Sequence, residues 1–132
     1  MGDDLLIPAT EITRQCPQPA SDKVARTEAI ALALSGVAVM PAGLIGAGSS
    51  WEGRGPVRIG PEAIAAGLSA LMPPERIEIS DIVTHGRAGT VSGRIWREGR
   101  VALFCHVIRY TSAAAREVAQ MVSFEHQERA SG

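Results

Sequence analysis

The segment VALFCHVIRYT, running from Val101 to Thr111, decides how this chain is read. With the two-residue period of a β-strand, one face carries Ala102, Phe104, His106, Ile108 and Tyr110, and the other Leu103, Cys105, Val107 and Arg109. Both faces are largely apolar. An antiparallel sheet commonly keeps one face wet, so a strand dry on both sides calls for helices over one face and a second cover over the other. An identical subunit is the most economical second cover. Turn chemistry recurs around this strand, at His85-Gly86-Arg87-Ala88-Gly89, at Arg97-Glu98-Gly99-Arg100 and from Ser112 to Arg116. It separates four predicted strands joined as a meander: Ile77 to Thr84, Thr90 to Trp96, Val101 to Thr111 and Glu117 to Glu125.

Towards the N-terminus the period changes. Ser21 and Asp22 give an N-cap signal ahead of Lys23 to Leu34, where Val24, Ala31 and Leu34 share a stripe, and Gly36 closes this helix. Pro61, suited to a first helical position because its missing N–H would be unpaired there, opens a second helix, and Glu62 complements the helix dipole. Ile64, Leu68 and Leu71 fall on one face of it, and Pro73 and Pro74 stop it. Val37 to Gly48 is apolar and glycine-rich and is broken by Pro41, which leaves strand, short helix and loop all open. Trp51 lies in a short strand-like segment, and Val57 to Ile59 has a small β pattern. Residues 1–21 hold Pro8, Pro17 and Pro19 with only a short apolar patch at Leu5 to Ile7, and read as an N-terminal extension with little structure. Residues 127–132 read as a tail. The expectation is a single α+β domain over residues 22–126, with helices packed on an antiparallel sheet of about four strands.

The totals exclude several functions. A chain of 132 residues with 45% hydrophobic content suits one core. Thirteen basic against fourteen acidic side chains, without a run of like charge, give no phosphate-binding footprint, so nucleic acid is not an expected partner. Asp3 and Asp4 stand where a secretory signal needs positive charge, and no apolar run approaches the roughly 20 residues of a membrane span. The expected location is the cytoplasm, away from any membrane. Cys16 and Cys105 lie in unlike settings and form no CxxC pair, and His85, His106 and His126 are not at i, i+4 spacing, so neither a disulfide framework nor a metal site is expected. Gly43, Gly46 and Gly48 are not followed by the long helix of a dinucleotide-binding unit. No cofactor is expected.

The order of helix, Trp51 segment, Gly60-x-Glu62-x-Ile64 helix start, Ile82-Val83-Thr84-His85-Gly86, Val91-Ser92-Gly93, Phe104-Cys105-His106-Val107 and Met121-Val122-Ser123-Phe124 resembles the nuclear transport factor 2-like superfamily. Within it, the small bacterial SnoaL-like proteins are the nearest pattern. The resemblance covers residues 22–126 and rests on pattern alone. It implies a cone in which a curved cystatin-like sheet wraps helices around an apolar pocket, and a homodimer formed through the sheet. Function does not travel with this fold, whose members include polyketide cyclases, isomerases, dehydratases and non-catalytic binding modules. The expected partner is a small apolar or carbonyl-containing molecule.

By resemblance, His106 occupies the position where SnoaL-like cyclases tend to carry an acidic catalytic residue. An imidazole there can serve as general acid or base beside a carbonyl, with Asp81 as a candidate second catalytic group. The other reading of His106 is a hydrogen-bonded histidine of a dry strand or of a dimer face, and the face it occupies stays open. Gln120 replaces a carboxylate that relatives often carry, which weakens a two-carboxylate mechanism and leaves it a hydrogen-bonding or surface role. Arg109 is a candidate anchor for an anionic group or a cross-sheet ion pair. Trp51, Trp96, Phe104, Tyr110 and Phe124 are candidate pocket walls or, equally, core residues. His85 and His126 read as exposed, and Cys105 as an inert thiol. The activity expected is that of a small-molecule pocket protein, either a cofactor-free isomerase, cyclase or dehydratase or a non-catalytic binder.

Overall fold

A computed structural model describes residues 9–17, 19–53 and 55–128, and within them two helices lie against a mixed sheet of seven strands. The predicted meander is there in order: β4 (Arg76–His85), β5 (Ala88–Arg97), β6 (Arg100–Tyr110) and β7 (Val118–Gln127), each antiparallel to the next. The expected number of about four strands is corrected by three more. β1 (Glu11–Arg14) adds to β4 in parallel, β2 (Ile45–Glu52) adds to β7 in parallel, and β3 (Arg58–Ile59) closes the far edge against β2. The sheet order is therefore β1-β4-β5-β6-β7-β2-β3. Part of the stretch read as a loose extension is thus an edge strand, tied down by Arg14, whose guanidinium holds both oxygens of the nearly buried Glu28 at 2.7 and 2.8 Å. The apolar patch Leu5 to Ile7 lies outside the described residues.

Helix α1 (Asp22–Leu34) starts where the Ser21 hydroxyl accepts from the Val24 N–H at 3.2 Å, and it stops at Gly36, whose φ of 84° suits a residue without a Cβ. It packs on β4, β5 and β6, while α2 (Pro61–Ser69) packs on β2 and β3. The alternation of β6 resolves accordingly. Phe104, His106, Ile108 and Tyr110 point inward and are buried; Leu103, Cys105, Val107 and Arg109 take the outer face. On the inner side Ile30, Ile64, Ile77, Ile79, Ile95 and Ile108 are each 1% exposed or less, and a side chain of that size contributes about 1.5–3 kcal/mol on full burial. Register shifts between Ile79 and Asp81 and beside Ala119 let the outer strands bend without turning their apolar faces outward. Val37 to Gly48, open in the sequence reading, divides: the described backbone is irregular up to Leu44 and becomes β2 at Ile45.

Candidate functional site

His106 is the centre of a continuous hydrogen-bonded chain on the inner face. Ser123, directly across from it on β7, places its Oγ 2.8 Å from Nδ1. Ser35, at the C-terminal cap of α1, places its Oγ 2.8 Å from Nε2. Both serines have one further partner. The Ser35 Oγ lies 2.9 Å from the Ala31 carbonyl, which can only accept, and the Trp51 Nε1–H donates to the Ser123 Oγ at 2.9 Å. One assignment gives every donor an acceptor: Trp51 donates to Ser123, Ser123 to Nδ1, the Nε2–H of His106 to Ser35, and Ser35 to Ala31. This makes His106 a neutral imidazole of defined tautomer. Its 2% exposure and, secondarily, the charge of Arg97 push its pKa down to about 3.

A cavity of about 400 Å³ opens beside this chain. His106 and Ser123 line it on the sheet side, Trp51 and Arg58 come from β2 and β3, and Leu34, Leu71 and Met72 supply apolar walls. Arg97 and Glu125 border it as an ion pair in which Nη1 meets both carboxylate oxygens at 2.8 and 2.9 Å, while Nη2 donates to the Ser35 carbonyl at 3.0 Å. The close approach of α2 depends on Gly67. A methyl group there would stand 2.5 Å from Arg58 Nε and 2.8 Å from Trp51 Cζ3, distances at which those side chains must move. The volume falls in the range of small-molecule sites, although these walls mix apolar and charged groups.

Of the candidates read from sequence, His106 and Trp51 meet at this cavity, and Phe124 borders it while staying 57% exposed. Phe104 and Tyr110 are core residues: the Phe104 ring centroid lies 5.3 Å from that of His106, and the Tyr110 hydroxyl bonds to Thr27 at 2.8 Å. Asp81 is exposed on β4 opposite Ser92, in the row containing Cys105, and so takes the sheet face opposite to His106. Arg109 is exposed on that outer face, across from Ala88 and Gln120, and Gln120 is half-buried beside Ser50. Trp96 is stacked under Arg76, whose guanidinium carbon sits 4.5 Å from the ring centroid. Ser35, Arg58, Arg97, Ser123 and Glu125 were not singled out by sequence. For Ser123 a signal existed, since pairing the two last strands around the Ser112–Arg116 turn sets it opposite His106.

No family model matches the chain, and no curated protein matches it by sequence. Solved structures do. An NTF-2-like protein of unknown function from Burkholderia xenovorans superposes with a TM-score of 0.66 at 13% identity, over 84% of this chain and 88% of that one. A cystatin-like fold protein from the same organism gives a TM-score of 0.51 at 18% identity, over 83% of this chain and 96% of that one. At such identities the likeness speaks for architecture, and together with the helix-on-sheet arrangement it shows that this chain has the nuclear transport factor 2-like, cystatin-like fold.

Proposed function

We propose that this protein binds a small molecule in the cavity beside Trp51, as a non-catalytic member of the SnoaL-like type. The observation that carries this reading is the engagement of both ring nitrogens of His106 by serine hydroxyls, over a cavity of about 400 Å³. A general base needs a pKa near the working pH and access to the ligand; burial holds the His106 imidazole down at about 3, and its two serine partners stand between the ring nitrogens and a ligand. The polar floor therefore positions and excludes water, and the adjoining apolar walls provide binding surface. Titration with the neutral fluorophore phenylnaphthylamine tests it: saturable one-to-one binding that Leu71→Trp abolishes by filling the cavity is expected, and a chain that takes up no probe sinks the reading.

The catalytic reading, a cofactor-free isomerase, cyclase or dehydratase with His106 moving a proton, draws support from one fact: His106 does line the cavity, on a rigid strand. It predicts deuterium exchange next to the carbonyl of a cyclic ketone such as cyclohexanone, lost by about a hundredfold or more in His106→Gln. The binding reading predicts no exchange above background in either protein.

The outer sheet face supports a second copy of this chain as its cover. Val83, Leu103 and Phe124 are 59%, 44% and 57% exposed there, and Asp81 and Arg109 supply opposite charges suited to a self-complementary two-fold contact. Sedimentation at micromolar concentration should give a dimer that Phe124→Asp dissociates; a monomeric wild-type chain would remove this part of the proposal. Among the described residues no helix is long and apolar enough to cross a membrane.

A further inference from the structure

Arg58 differs from the other cations near the cavity. Arg97 is held by Glu125, and further out Arg94 meets Glu128 and Arg14 meets Glu28. Arg58 donates a single bond, from Nη1 to the Ala63 carbonyl at 3.1 Å, and no carboxylate lies within ion-pair distance of it among the described residues. Its place is nonetheless well defined. It sits directly across from Trp51 on the adjacent strand, and its shaft lies on α2 where Gly67 leaves room, with Cδ only 2.6 Å from where a methyl would be. A guanidinium has five N–H groups in a planar fork that matches a carboxylate. Among the described residues only one of these has a protein acceptor, at the wall of a cavity.

The rest of the lining narrows what such a fork would meet. The protons of Ser35, Ser123 and the Nε2 of His106 are all committed within the floor, so the floor presents little hydrogen-bonding capacity to a ligand. Leu34, Leu71 and Met72 present hydrocarbon. Glu125 is neutralised by Arg97, which leaves Arg58 as the unbalanced charge among the described residues of the wall. We infer that Arg58 is the anion-recognition residue of this cavity, and that the ligand is a small molecule with an apolar, ring-sized body and one carboxylate. This rests on the pocket reading above and names its ligand class.

Two fluorescent probes of similar aromatic body separate the two ideas: anilinonaphthalene sulfonate, which is anionic, and phenylnaphthylamine, which is neutral. Arg58→Gln should weaken the anionic probe about tenfold, the scale of a lost charge-assisted bond, and change the neutral one less than about twofold. Arg58→Lys should recover part of the loss, because it keeps the charge and loses the fork. Benzoate should displace the anionic probe from the wild-type protein at concentrations where benzyl alcohol does not. Equal losses for both probes, no loss for either, or equal displacement by acid and alcohol would overturn the assignment while leaving the cavity occupied. Failure of both probes to bind the wild-type chain would overturn it together with the pocket reading.

Discussion

The floor and the rim of the cavity are opposite kinds of polar surface. At the floor, four side chains from α1, β2, β6 and β7 form one chain of matched donors and acceptors, buried and directional. At the rim, Arg58 has one bond to a carbonyl and no carboxylate partner among the described residues. A polar network satisfied throughout rigidifies what it joins, and each group removed from it strands another. A half-buried cation with open donors contributes little to the fold and is free to contribute to recognition. The contrast therefore assigns stability to His106 and specificity to Arg58, the reverse of what a lone strand histidine invites.

Acid should break the floor first. The folded pKa of His106, about 3, lies below the 6.5 of an unperturbed imidazole, so between those values the unfolded chain binds a proton that the folded chain refuses. Stability is full above pH 6.5 and declines as pH falls towards 3, with a limiting slope of about 1.4 kcal/mol per pH unit and a total on the order of 5 kcal/mol. Urea unfolding across this range should show the decline in wild type and a flatter profile in His106→Gln, because carboxylate titrations are common to both. Next in size, His106→Ala should cost about 3 kcal/mol in the same measurement at neutral pH, since it leaves a void and two serines without their partner. Trp51→Phe removes the first donor of the chain together with part of a buried ring and should cost about 2 kcal/mol. Smallest of all, Arg58→Gln should shift stability by no more than about 0.5 kcal/mol, because the shorter stem keeps part of the packing on α2 and a single half-exposed bond to a carbonyl is lost. A loss at Arg58 as large as that at His106 would erase the distinction between floor and rim.

Much of the floor's frame was legible in the sequence, because meander strands are joined by short turns and show clean alternation. His106 could be placed on the face with Phe104 and Ile108, though the face that met the helices could not be chosen without tertiary packing. The rim was not legible. Arg58 reaches the cavity only because β2, rich in glycine and serine, leaves its sequence neighbours to lie beside β7 and then pairs with the two-residue β3. Each strand carried a short local signal, Trp51 in a strand-like segment and Val57 to Ile59 in a small β pattern, but pairing between distant segments leaves no local pattern, so their place beside the cavity could not be read. β1 was missed for a related reason: three of its four residues, Glu11, Ile12 and Arg14, are exposed, so it resembles a polar tail until its partner is known. Arg109 already stood opposite His106 in the alternation of its strand, whereas Asp81 shows the limit of chemistry read without register: the shift between Ile79 and Asp81 exchanges the two faces of β4.

That short first strand has a consequence for how the chain behaves in a crowded solution. β4 runs for ten residues and would otherwise end the sheet with a row of unpaired amides and carbonyls next to Ile77 and Ile79. Such a row is a template on which further chains can add, and sheets that leave it open tend towards aggregation. With Glu11 to Arg14 laid along it, four of its ten residues are occupied by a polar segment bearing charges of both signs, and the opposite end of the sheet finishes in a strand of only two residues. The N-terminal segment thus blunts the Arg76–Ile79 stretch of that edge with a short charged strand, the arrangement expected to discourage strand addition there.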